Sequence, residues 1–158
     1  MRSSMTRRML GGLATVCVVG ASSLALASPE EDVKATVGRW VQAFNTGNAE
    51  QIAATYTADA TVYGTMAPDL AAGTEALHAY FAQAARARTQ VKLLDAGTVN
   101  ALSADHAVIA GLYEFSGVRP DGQAFSAPAR YSFVLVKDGN DWRIVHHHSS
   151  ARPRPANQ

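Results

Sequence analysis

Cysteine is almost absent from this 158-residue chain, and the single one, Cys17, lies in an apolar N-terminal stretch. The rest therefore has neither thiol nor disulfide, which excludes thiol catalysis and cysteine-based zinc sites and suits an oxidising compartment. Charge is also sparse: charged residues make up 17% of the chain and form no basic run, so nucleic acid is not an expected partner. Long apolar runs are missing but for one. Met9 to Leu26 carries no charge, yet Gly11, Gly12, Gly20, Ser22 and Ser23 dilute it below the roughly 20 predominantly apolar residues of a spanning helix.

That stretch reads as a secretory signal peptide over residues 1–27. Arg2, Arg7 and Arg8 form its cationic start, and Ala25-Leu26-Ala27 supplies small residues around a cleavage point. Thr6 to Leu10 also resembles, weakly, a twin-arginine export signal. Residues 28–158 then form one ordinary domain, long enough for a single core. Removing three of 14 basic residues leaves 11 against 13 acidic ones, a net charge of −2 with histidines neutral. The expected location is the periplasm or the exterior, without membrane contact after cleavage.

Ser28, Pro29 and Glu31 open a helix with a capping box. Val33, Val37, Trp40, Val41 and Phe44 give it one apolar stripe, and Gly47 ends it. Asn48 starts a short second helix that runs to Tyr56, Thr61 to Tyr63 form a short strand, and Thr74 is expected to cap a third helix. From Gln90 the period falls from about 3.6 to 2. Four strands are expected, one of them covering Val91 to Leu102 without a break; turns at Pro120-Asp121-Gly122 and Asp138-Gly139-Asn140 join the last three into an antiparallel meander. Helices first and a long sheet afterwards is an α+β order, in which helices cover one face of a curved, mainly antiparallel sheet.

The segments "WVQAFNTGNAEQIAATYTADATVYGT" and "GTEA", with an ending that carries Trp142, Ile144, Val145, His147, His148, Ser149, Ser150 and Pro153, resemble the nuclear transport factor 2-like superfamily, which includes the SnoaL-like proteins. The ending is most similar to the calcium/calmodulin-dependent protein kinase II association domain family. The resemblance covers about residues 30 to 155. It implies a cone of three helices on a curved sheet, usually dimeric through the convex sheet face, so the chain itself is an expected partner, as homodimer or larger homo-oligomer. It also implies that Arg130 lines the cavity and meets an anionic ligand. No kinase domain is expected here, and kinase activity is not carried over with the family name.

Strand alternation puts Trp142, Ile144, His146, His148 and Ser150 on one face and Arg143, Val145, His147 and Ser149 on the other. His146 and His148 then form a His-x-His pair. A catalytic metal would need a third ligand, and although His78, His106, Asp59 and Glu114 are available, nothing in the sequence places one beside the pair. No metal and no cofactor is expected. The ligand-lining candidates are Arg130, Tyr113, His146 and His148, around a small molecule. Catalytic candidates are His146, His148, Tyr63, Tyr113 and Asp59, because steroid isomerases and polyketide cyclases of this superfamily pair an Asp or His base with a hydroxyl donor in an apolar pocket. Each has a bland alternative: histidines within the core or at a subunit contact, Asp59 as a turn or cap, Arg130 in solvent, Tyr56 and Tyr113 as core. Binder, cofactor-independent lyase or isomerase, and pure oligomerisation module all remain open, with a non-enzymatic binder expected.

Overall fold

A computed structural model describes residues 28–119 and 121–153. The expected signal peptide and the last five residues lie outside this range. Helix α1 (Pro29–Thr46) begins as its sequence requires: the Glu31 amide donates to Ser28 Oγ at 3.3 Å, and the Ser28 amide donates to Glu31 Oε2 at 3.0 Å. It ends on Gly47, whose φ of 69° is the left-handed region that glycine enters without strain. Helix α2 (Ala49–Ala53) is shorter than the sequence suggests, because the chain turns into strand β1 (Tyr56–Tyr63). A two-residue strand, β2 (Ala71–Ala72), leads directly into α3 (Gly73–Arg86).

Thr74 is not the cap of α3. The capping position is Ala72, which offers no side-chain acceptor, while the Thr74 hydroxyl donates to the Ala58 carbonyl of β1. The strand expected over residues 91–102 is two strands, β3 (Gln90–Leu93) and β4 (Thr98–Ala101). Between them Asp95 accepts from the Leu112 amide with both carboxylate oxygens, filling the gap in the ladder along β5 (His106–Val118). The meander continues through β6 (Ala124–Asp138) and β7 (Asp141–Ala151).

The sheet order is β2-β1-β7-β6-β5-β3, with β4 also pairing β5. Only β1 and β7 run parallel. The helices cover one face, which we call inner. The α1 stripe of Val33, Val37, Trp40 and Phe44 is buried there, and Trp40 meets the rings of Tyr113, Phe133 and His147. Each strand alternates accordingly: Ala129, Tyr131, Phe133 and Leu135 of β6 are buried, whereas Arg130 between them is exposed on the outer face.

One irregularity decides the site. Val134 pairs with His146 and Leu135 with Ile144, so Val145 is an extra residue on β7, a β-bulge. The pairing of β1 with β7 shifts at the same place. Beyond a bulge the alternation restarts one residue out of step. Trp142, Ile144, His147 and Ser149 are therefore buried on the inner face, while His146 is half-buried and His148 exposed on the outer one.

Candidate functional site

The inner face holds a chain of polar side chains within an aromatic core. Trp40 Nε1 donates to the Tyr56 hydroxyl at 2.8 Å, and that hydroxyl lies 2.9 Å from His147 Nδ1. His147 Nε2 lies 3.2 Å from the Tyr113 hydroxyl, which donates to Ser149 Oγ at 2.5 Å; Ser149 Oγ in turn bonds Thr65 Oγ1. The bulge brings His147 and Ser149 to this face, α1 supplies Trp40, β1 supplies Tyr56, and β5 supplies Tyr113.

The charge state follows from the surroundings. His147 is 2% exposed, with Phe133 edge-on at 4.3 Å and Trp40 at 5.4 Å, and burial followed by the flanking His146 and His148 pulls its pKa down to about 3. The ring is neutral at neutral pH and carries one N–H. Burial also raises the Tyr56 and Tyr113 pKa values, so both hydroxyls keep their protons. Trp40 can only donate, and Tyr113 already donates to Ser149. The pattern that gives every proton a partner has Tyr56 donating to Nδ1 and His147 Nε2–H donating to Tyr113; the tautomer is assigned from this network. The bonds thus point one way, from Trp40 toward Thr65. Thr65 is half-buried, so the chain ends toward solvent.

This corrects the sequence reading of faces. Tyr113 is inside, fully buried, but His146 and His148 are outside, so the three do not line one cavity. The two histidines do share a face, as expected, but it is the uncovered one. His146 Nδ1 lies 2.7 Å from Thr61 Oγ1, and the His148 ring faces that of Tyr63 at 6.3 Å. Arg130 does not reach the interior; its Nε donates to Ser150 Oγ at 3.2 Å on the outer face, because its neighbours Ala129 and Tyr131 take the inward positions. Tyr63 is 45% exposed on that same face. Asp59 is exposed in the part of β1 where pairing with β7 is interrupted. His106 lies 3.2 Å from Ser103 Oγ, Glu114 pairs with Lys92 at 2.9 Å, and His78 sits on α3. Among the described residues no three histidine, cysteine or acidic side chains are grouped to hold a metal.

Sequence reasoning missed His147, Ser149 and Thr65. Only the bulge could have pointed to His147 and Ser149, and strand pairing, not composition, creates it.

The outer face carries an open depression of about 480 Å³ lined by Arg130, Ser132, His148, Ser150, Leu112 and Thr98. A second cleft, of about 400 Å³, lies between α2, α3 and the start of β1.

Helices packed on one face of an open mixed sheet define a nuclear transport factor 2-like fold. Solved structures share it. A Salmonella enterica serovar Typhimurium LT2 protein of the nuclear transport factor 2-like superfamily aligns with TM-score 0.70 at 18% identity, over 81% of this chain and 94% of that one. A ketosteroid isomerase-like protein from Erwinia carotovora atroseptica aligns with TM-score 0.66 at 21% identity, over 78% and 95%. A Xanthomonas campestris protein assigned to the calcium/calmodulin dependent protein kinase II association domain aligns with TM-score 0.74 at 31% identity, over 82% and 95%. The sequence pattern of that family matches residues 29–153. The chain belongs to the calcium/calmodulin dependent protein kinase II association domain family. The search of curated proteins finds no match.

Proposed function

We propose that the protein is an exported, self-associating domain without kinase activity of its own, paired with a second copy through the outer face of its sheet. The observation behind this reading is the composition of that face. No described helix covers it, and Tyr63, Leu112, Val108 and Val134 stand there beside Arg130, His146 and His148. Apolar side chains grouped on an uncovered sheet face favour association. The family's name is consistent with assembly. In such a pair the Arg130 depression lies at the contact, where a small anion would offset the guanidinium charge.

The test is light scattering on the mature protein. The native chain should run as a dimer or larger at micromolar concentration, and Tyr63→Glu should give a monomer with unchanged circular dichroism. A native monomer at about 100 μM, which would put the self-association constant weaker than that concentration, would sink the proposal. Export is tested separately by mass spectrometry of the cell envelope fraction, where the chain should begin at Ser28.

A second reading, a cofactor-independent lyase or isomerase, draws on Tyr113. Its hydroxyl joins a neutral imidazole to Ser149 at the inner face. Both nitrogens of His147 are already bonded to tyrosines, so a substrate would have to displace Tyr113 to reach the base. Under this reading Tyr113→Phe abolishes any turnover while leaving the dimer intact; turnover that survives the change excludes this site.

A further inference from the structure

On the outer face the pairing of β5, β6 and β7 sets the side chains in rows. Arg130 pairs with Ser150 and Ser132 with His148, so these four form a rectangle, about 4.8 Å across the two strands and about 6.6 Å along each. On the β5 side Leu112 extends the first row and Ala110 the second, with Thr98 of β4 beyond Ala110. All of them line the open depression of about 480 Å³, and each is exposed or half-buried, within reach of solvent.

The rectangle is rich in donors. Arg130 spends its Nε on Ser150 Oγ at 3.2 Å, which holds the guanidinium beside β7 and leaves both Nη groups free among the described residues. Because Ser150 Oγ accepts that bond, its own O–H is left to donate. The Ser132 hydroxyl and an imidazole N–H of His148 complete the corners. No aspartate or glutamate lines the depression. Two carboxylates on the β5 side are engaged elsewhere: Glu114 with Lys92 at 2.9 Å, and Asp95 with the amides of Gly97 and Leu112.

This arrangement selects among anions. A carboxylate has two oxygens in one plane, and the planar guanidinium alone satisfies them. Donors at four corners of a rectangle call for an anion whose oxygens point in several directions. A phosphate group has that shape: two oxygens accept from the Arg130 fork, and the remaining acceptor sites serve Ser150, Ser132 and His148. We infer that the depression binds a phosphate group. The inference rests on the anion site of the proposed function and gives that anion its chemical class. Leu112 and Ala110 leave room beside it for the organic part of a phosphomonoester, with the Thr98 hydroxyl at the far end.

The experiment is calorimetry on the mature protein at constant ionic strength, with inorganic phosphate, phenyl phosphate and acetate as probes. Phosphate should bind, and acetate at least about tenfold more weakly, since one charge-assisted hydrogen bond is worth roughly a factor of ten or more. Phenyl phosphate tighter than phosphate identifies a monoester as the occupant, and the reverse order identifies the free anion; both support the site. Arg130→Lys keeps the charge at an exposed position but loses the fork, and should weaken phosphate about tenfold. Lys34→Gln removes the same charge from α1 and should change nothing, which separates a site from general attraction. Light scattering on the same samples separates this test from that of self-association. A monomer that binds phosphate ends the pairing and leaves the site, while a dimer that binds none ends the site and leaves the pairing. No detectable phosphate binding, acetate binding as tightly, or undiminished affinity in Arg130→Lys overturns the inference.

Discussion

Replacing Tyr56 by phenylalanine removes one oxygen, but that oxygen serves two buried partners. It accepts from Trp40 Nε1 at 2.8 Å and bonds His147 Nδ1 at 2.9 Å. Trp40 is 0% exposed and His147 2%, so no water reaches either atom without opening the core. Leaving a buried polar atom unpaired costs about 1–3 kcal/mol, and two such atoms cost about 2–6. Relaxation of the rings recovers part of this, so the expected loss is about 3 kcal/mol. Such a loss is a large share of the 5–15 kcal/mol that typically separates folded from unfolded states. Urea denaturation followed by circular dichroism should show the midpoint fall with little change in slope. In a double-mutant cycle, adding His147→Leu to Tyr56→Phe should cost less than the sum of the single changes, because the second substitution removes an atom that the first had stranded. A Tyr56→Phe protein within about 0.5 kcal/mol of the native one, the usual range for surface changes, would refute the argument. It would mean that the polar chain does not hold the core together.

The buried neutral His147 predicts an acid dependence. Its folded pKa of about 3 lies below the model-peptide value of 6.5, so the unfolded chain binds more protons between the two. The stabilisation is complete above about pH 6.5 and declines as pH falls toward 3, at up to about 1.4 kcal/mol per pH unit. Denaturant midpoints measured from pH 7 to 4 should drop in the native protein and flatten in His147→Asn; equal slopes would remove His147 as the cause. Gly64→Ala should destabilise by about 1–3 kcal/mol through overpacking, since a Cβ there would fall within 2.3 Å of Tyr80 Cζ. Pairing it with Tyr80→Leu should restore part of the loss, and a silent Gly64→Ala by thermal melting would show that the Tyr80 ring has room to move. Ser28→Ala removes the acceptor for the Glu31 amide at the start of α1 and should cost about 0.5–2 kcal/mol in the same assay.

What was legible in the sequence was local. The capping box at Ser28 and Glu31, the stripe from Val33 to Phe44 and the turn at Gly139 depend on residues within a few positions of each other, and each appears where the pattern puts it. Features that depend on a partner strand were not legible. The start of β1 at Tyr56 reflects its pairing with Ile144, 88 positions later. The break between β3 and β4 exists because Asp95 reaches the Leu112 amide. Most consequential was Val145: strict alternation assumes an uninterrupted ladder, and one unpaired residue there reversed the faces of all that follow. β6, which has no bulge within residues 127–134, keeps strict alternation, with Ala129, Tyr131 and Phe133 buried and Arg130 between them exposed.

The position of β7 has a consequence for the order of events in the cell. The last described strand, Asp141–Ala151, is not an edge: it lies in the middle of the sheet, between β1 and β6. Until the residues of β7 leave the ribosome, the other strands form two separate pieces, β1 with β2 and β3 to β6, each with an open edge. Long-range pairing of this kind closes late and slowly. A chain without β7 would carry two sticky borders, so the sheet is protected from aggregation only once residues through Ala151 have joined it.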